Sequence, residues 1–149
     1  MNLKQKTYQH CLQLINIRIT ELKKVLDELS EGIKNDSKSS AGDKHETSRA
    51  MAQIEQEKIS RQLAETLEQK AVLEKLEHIL PSPKIIKGSL VKTNTLTLYI
   101  SIPLGRMLVD NTPVFAISPQ SPLGAQLMGL EPKDSTRING VNYFIESIE

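Results

Sequence analysis

Residues 8–33 read YQHCLQLINIRITELKKVLDELSEGI. Within them Tyr8, Leu12, Ile15, Ile19, Leu22, Leu26, Leu29 and Ile33 recur in steps of four and three. Such a heptad seam, held for more than three repeats, is the signature of a coiled-coil helix. Lys, Glu, Gln, Asn and Asp lie between those positions, as on a solvated face. The pattern stops between Gly32 and Gly42, where Asn35-Asp36-Ser37-Lys38-Ser39-Ser40 reads as a turn.

Working outward, a second helical run extends from near Asp43 to near Leu80. Its apolar stripe is less regular: Met51, Ile54, Ile59, Leu63, Leu67, Leu73, Leu76 and Leu80. A stutter in the heptads is the expected cause. Two adjacent long helices joined by a short polar turn fold back most simply as an antiparallel αα-hairpin. This assigns residues 1–80 to a coiled-coil hairpin with its tip near 36–47. At ~1.5 Å per residue, about 30 residues per arm make a rod on the order of 45–50 Å long.

Pro81-Ser82-Pro83 stops the second helix and forms a linker. Residues 84–149 read as a small β-rich domain. Ile85–Val91 and Leu96–Ile102 alternate around Lys92-Thr93-Asn94-Thr95, and Val114–Ile117 is a third strand. Ser121–Met128 suits a short helix with Pro122 in its first turn. Asn139-Gly140 suits a two-residue type I′ turn between strands. The fold class is α+β: a long helical hairpin followed by a small sheet packed on one helix.

Composition narrows the function. The chain carries 19 Lys+Arg against 18 Asp+Glu, with aromatics at only 3 %. That balance argues against an electrostatic grip on bare nucleic acid, and few rings are present to stack on single-stranded bases. No direct, sequence-specific nucleic-acid binding is expected. With one cysteine, Cys11, no internal disulfide or thiolate zinc site can form. No run approaches the roughly 18 apolar residues of a membrane span. The N-terminus lacks a signal-peptide core, so a cytoplasmic protein is expected.

The chemistry-bearing feature is Gly42-Asp43-Lys44-His45-Glu46-Thr47. Asp43 and Glu46, three apart on a helix, share a face and can direct two carboxylates at one cation. Mg²⁺ suits such a pair, since it takes one or two carboxylates together with waters and substrate phosphates. Two ligands bind it weakly, so a partner must complete the site. An Asp with Glu three residues later also resembles a capping box. A cap and a metal-directing role are compatible. His45 reads as a solvated side chain.

Ala41–Thr47, followed on its helix by Glu55-Gln56, resembles the tip of the bacterial Gre transcript-cleavage factors, where Gly-Asp-x-x-Glu-Asn ends a coiled-coil hairpin. A second stretch, Ser121-Pro122-Leu123-Gly124-Ala125-Gln126-Leu127-Met128-Gly129 with acidic residues to Asp134, is similar to the family's Ser-Pro-x-(Ala/Gly)-x-x-Leu-x-Gly segment. The resemblance implies an FKBP-like α+β fold for residues 84–149, without prolyl isomerase activity. No aromatic-lined pocket is apparent within those residues. It implies a monomer that docks on RNA polymerase and inserts its hairpin into the secondary channel. There Asp43 and Glu46 would share Mg²⁺ with the polymerase's own aspartates and promote cleavage of backtracked RNA. Gly42, Lys44, Thr47, Arg49, Ser121 and Pro122 are the implied partner contacts. The protein would then be an accessory factor and no enzyme by itself, with no cofactor of its own.

Three alternatives follow from the same residues. Thr47, Arg49 and Ile54 depart from the family pattern, and Arg49 sets a positive charge about one turn from the acidic pair. A homologue of that kind could occupy the channel and modulate transcription without cleavage. A dimeric coiled-coil adaptor needs only the heptads. An enzyme using Cys11 with His10 or His78 lacks a supporting motif, and Cys11 beside Leu12 reads as a buried thiol.

Overall fold

The structure, a computed structural model, describes the chain apart from residues 37–41; for residues 36 and 42–45 only the backbone is described. The elements are helices α1 (Leu3–Asp36) and α2 (Gly42–Glu74), strands β1 (Leu90–Thr93), β2 (Thr97–Ile100), β3 (Gly105–Val109) and β4 (Thr112–Ile117), helix α3 (Pro122–Leu127), and strands β5 (Ser135–Ile138) and β6 (Val141–Ile148). Contacts divide the chain into two compact units, Leu14–Lys70 and Met1–Gln13 with Ala71–Glu149. Among the described residues no helix is long and apolar enough to cross a membrane.

In the unit Leu14–Lys70, the α1 seam faces inward as the heptads require. Ile15 and Ile19 are buried, and Leu22, Leu26, Leu29 and Ile33 are half-buried. Every other residue of α1 from Gln13 to Asn35 is exposed. Helix α1 runs past Gly32 to Asp36, so Asn35 and Asp36 are helical. The remainder of the expected turn, residues 37–40, lies outside the described residues. Late α1 meets early α2, since Gln56 Nε2 donates to Ser30 Oγ at 3.0 Å. The two helices therefore run antiparallel.

The α2 seam differs from the expected stripe. Met51 and Ile54 are both 66 % exposed, and Leu67 and Leu80 also face outward. Half-buried Glu55, Gln62, Gln69 and Val72 flank a line of shielded positions: Ala52, Gln56, Ile59, Leu63, Thr66, Lys70 and Leu73. These run in unbroken steps of four and three, so no stutter is needed. Polar residues hold three seam positions and hide the period from a count of apolar residues. Thr66 tolerates burial because its hydroxyl donates to the Gln62 carbonyl at 2.7 Å. Lys70 can cover the seam with its methylenes while its ammonium stays wet.

Helix α2 also stops short of Leu80, at Glu74. The chain tightens there into three-residue bonds, Leu76 N to Leu73 O (2.9 Å) and Ile79 N to Leu76 O (3.4 Å). Such tightening is common at a helix C-terminus.

The second unit is built on a six-stranded sheet of order β3-β4-β2-β1-β6-β5. All neighbours are antiparallel except β2 and β4, which pair in parallel with Leu98 opposite Phe115. Val91, Leu98, Ile100 and Ile145 pack with Ile85 and with Leu127 of α3 in one buried cluster, joined by Leu123. Tyr99 has Leu90 and Ala116 beside it on neighbouring strands, and Val114 is opposite Met107. These alternate residues form the other face, which the start of α1 covers: Cys11 Sγ lies 3.9 Å from Met107 Sδ. Lys6 pairs with Asp110, and Lys4 Nζ donates to the Ile79 carbonyl at 3.1 Å. Central strands buried on both faces read as continuous apolar runs, as in Leu98-Tyr99-Ile100.

The expected strands shift at their ends: the Leu96–Ile102 strand narrows to Thr97–Ile100, the Val114–Ile117 strand starts at Thr112, and Lys92 and Thr93, expected in a turn, belong to β1. The expected Ile85–Val91 strand begins only at Leu90, because Gly88 adopts φ +96°. Strand β3 lies outside the strands expected from the sequence. It is joined to β4 by Asp110-Asn111, both at positive φ, which makes a second two-residue hairpin turn. The expected Asn139-Gly140 turn is present, with φ of 50° and 80° and Ile138 opposite Val141.

Candidate functional site

Helix α2 begins at Gly42, so Asp43 and Glu46 both lie in its opening residues. Residues three apart on a helix stand on one face. The N-terminal end of the helix macrodipole favours negative charge there. This start places Asp43 inside the first turn, whereas a capping box would need it in front of the helix. The backbone thus sets two carboxylate-bearing positions side by side where α2 leaves the connection from α1. The side chains of Asp43, Lys44 and His45 lie outside the described residues, while Glu46, Thr47 and Arg49 are exposed.

The donor set fits a hard cation in kind. Carboxylate oxygens suit Mg²⁺, and the rest of its octahedral shell must come from water or a partner. Among the described residues no group of three His, Cys, Asp or Glu side chains converges on one point. Arg49 stands three residues beyond Glu46, within one turn, so its guanidinium adds a positive potential on the approach to the pair. Ile54, one residue before Glu55-Gln56, presents its side chain to solvent.

Ser121 and Pro122 have a structural task. Ser121 is the N-cap of α3: its Oγ accepts from Gly124 N at 3.0 Å and donates to the Ser118 carbonyl at 2.7 Å. Pro122 opens the helix, where its missing N–H costs nothing. Gly124 is buried, and a Cβ on it would come within 2.1 Å of the Ser118 oxygen. Leu127 enters the core. Gly129, at φ +85°, turns the chain so that its N–H reaches the Ile85 carbonyl at 2.8 Å. Each named residue of the Ser-Pro-x-Gly-x-x-Leu-x-Gly segment therefore fixes α3 against the sheet. Pro122 is exposed and Ser121 half-buried, so both also border the surface.

Cys11 is fully buried, and burial pushes its thiol up to about 12. Its sulfur faces a thioether, and a nucleophilic cysteine needs the reverse: a lowered pKa and access to solvent. His78 is exposed and lies 3.8 Å from the Glu77 carboxylate.

The residues that sequence reading missed are Tyr8 and Tyr99. Both line a groove beside the end of α2. The sequence places Tyr8 on the α1 seam and Tyr99 within a strand, and no local pattern announces that they meet. A scan against protein-family models finds no match for the chain, and neither does a search of the curated proteins.

Proposed function

We infer that this chain is a Gre-like accessory factor of RNA polymerase, which carries Asp43 and Glu46 into the secondary channel and promotes cleavage of backtracked RNA. The observation that carries the reading is the position of the acidic pair in the opening turn of one of two long antiparallel helices. Helices of 34 and 33 residues are each about 50 Å long at 1.5 Å per residue, enough to reach down a deep channel. The inward seam of α1 and the unbroken heptads of α2 support a coiled coil. The capped, glycine-dependent α3 supports an FKBP-like, polymerase-docking role for the sheet domain. Both are parts of the same proposal.

In this reading Asp43 and Glu46 would hold Mg²⁺ together with polymerase carboxylates, and the metal would supply an activated water for phosphodiester attack. The chain's own share is positioning: helix α2 fixes the spacing of the two carboxylate-bearing positions. The factor acts as a monomer and has no separate active site.

Release of short RNA from stalled, backtracked polymerase tests this. Addition of the protein should accelerate release, and Asp43→Ala should abolish the acceleration. Equal rates with and without the protein would refute it. A second reading, occupancy of the channel without cleavage, is favoured by the exposed Arg49 so close to the pair. It predicts inhibited elongation with no shortened transcripts.

A further inference from the structure

Strand β3 is an edge of the sheet, and only β4 pairs with it. Its hairpin fixes which backbone groups face out. Asp110 and Asn111, both at positive φ, form a two-residue turn. In such a turn the flanking residues, here Val109 and Thr112, exchange both hydrogen bonds. Bonded pairs alternate with non-bonded ones along an antiparallel ladder, so Met107 and Gly105 also bond to β4. Arg106 and Leu108 then direct their N–H and C=O groups away from it. Pro113 agrees with this register: it has no N–H to give and stands opposite Leu108, in a pair that needs none. No other described part of the chain bonds to those four groups. Side chains follow the same alternation. Met107 and Val109 are buried on the face that α1 covers, whereas Arg106 and Leu108 are exposed on the other, Leu108 by 50 %. Arg106 makes no ion pair or hydrogen bond with any described residue. The other charge of the hairpin, Asp110, is paired with Lys6.

We propose that the β3 edge takes up an extended acidic peptide segment of a partner protein as an added strand, antiparallel to β3, with an apolar residue opposite Leu108 and, two residues later, a carboxylate opposite Arg106. Strand addition draws affinity from main-chain hydrogen bonds and selectivity from alternate side chains. The four outward groups supply the bonds, and Leu108 and Arg106 supply the selectivity. Opposite charges facing across two strands attract, and like charges repel. The same rule disfavours a second copy of this chain. The antiparallel register that bonds both outward residues of each copy, Arg106 opposite Leu108, sets the two guanidinium groups diagonal to one another, within cross-strand reach. The far edge of the sheet, β5, turns Ser135 and Arg137 outward by the same logic of its Asn139-Gly140 turn, but it carries no exposed large apolar side chain. The β3 edge is independent of the acidic pair on α2, and its role does not rest on the polymerase reading.

Titration of the full chain with acetyl-Thr-Ile-Thr-Glu-Thr-amide to millimolar concentration, followed by NMR, tests the site. This peptide sets its Ile opposite Leu108 and its Glu opposite Arg106. Saturable amide shifts are expected at Arg106 and Leu108, with slowed hydrogen exchange at the same two amides. Lys in place of the peptide's Glu should weaken binding about three- to tenfold, the scale of a cross-strand charge contact that changes sign. Arg106→Glu in the protein should invert that preference. N-methylation of the peptide's Ile removes the N–H aimed at the Leu108 carbonyl and should abolish saturable binding. Absence of saturable shifts at β3, or shifts at β5 alone, overturns the proposal. Equal affinity for the Glu and Lys peptides, an unchanged preference in Arg106→Glu, or binding that survives N-methylation overturns it as well. A dimer in solution that pairs β3 with β3 would make a second copy the occupant, and overturn it too.

Discussion

The sulfur of Cys11 sits 3.9 Å from the sulfur of Met107, sealed between α1 and β3. The contact ties the start of the first helix to the far edge of the sheet. It also sets the chain's behaviour in alkali. With its folded pKa raised to about 12, Cys11 keeps its proton in the native state where the unfolded chain has lost it. The stabilising effect is complete below the unfolded thiol value of roughly 8.5 and disappears as pH rises toward the folded value. Tyr8 and Tyr99 are shifted the same way by burial. Stability in urea should therefore be flat from neutral pH to about 8 and fall beyond 9, with a slope approaching about 1.4 kcal/mol per pH unit from Cys11, to which the tyrosines add above about 10. Iodoacetamide should label Cys11 only after unfolding, and Cys11→Ser should leave the proposed stimulation of RNA cleavage unchanged.

Gly124→Ala should destabilise the sheet unit by about 1–3 kcal/mol, because the added methyl meets a backbone oxygen and not a flexible side-chain end. Ser121→Ala removes the cap of α3 and should cost about 1 kcal/mol. Thermal denaturation of both variants checks the order.

The revised seam of α2 makes opposite predictions for two isoleucines five residues apart. Ile59, 8 % exposed, should cost about 2–4 kcal/mol when cut to Ala. Ile54, 66 % exposed, should tolerate Glu within about 0.5 kcal/mol. Urea midpoints of the two variants separate the observed seam from the apolar stripe of the sequence.

Tyr99→Phe should raise the stability of the protein by about 1 kcal/mol, since it deletes a buried hydroxyl that has no partner. A fall in stability would mean that ordered water already satisfies that group.

The α1 seam from Ile15 to Ile33 was legible because each of its positions is apolar and most residues between them are polar, Leu14, Ile17 and Val25 apart. The α2 seam was not, because Gln56, Thr66 and Lys70 occupy inward positions and Met51 and Ile54 outward ones. Apolar periodicity marks a helix face only where side-chain polarity follows burial. Asn139-Gly140 announced its hairpin through the glycine. Asp110-Asn111 makes the same turn without one, and β3 went unread with it. The segment from Ser121 to Gly129 was legible as a motif, but its reason, the contact of Gly124 with Ser118, exists only in three dimensions. The groove lined by Tyr8 and Tyr99 joins residues 91 positions apart, which no spacing rule connects.

Arg49→Ala should lower the Mg²⁺ concentration needed for half-maximal RNA cleavage by about twofold, the scale of a one-turn charge contact. An unchanged requirement would place Arg49 away from the cation.

Delivery of the α2 start into the polymerase is best tested by replacing the exposed Arg49 with a photocrosslinking residue and irradiating the complex with backtracked polymerase. Insertion requires crosslinks to the polymerase segments that line the secondary channel beside the active centre, lost in competition with unlabelled protein. Crosslinks confined to the outer surface of the polymerase, or none at all, would show that this end of the helices never enters.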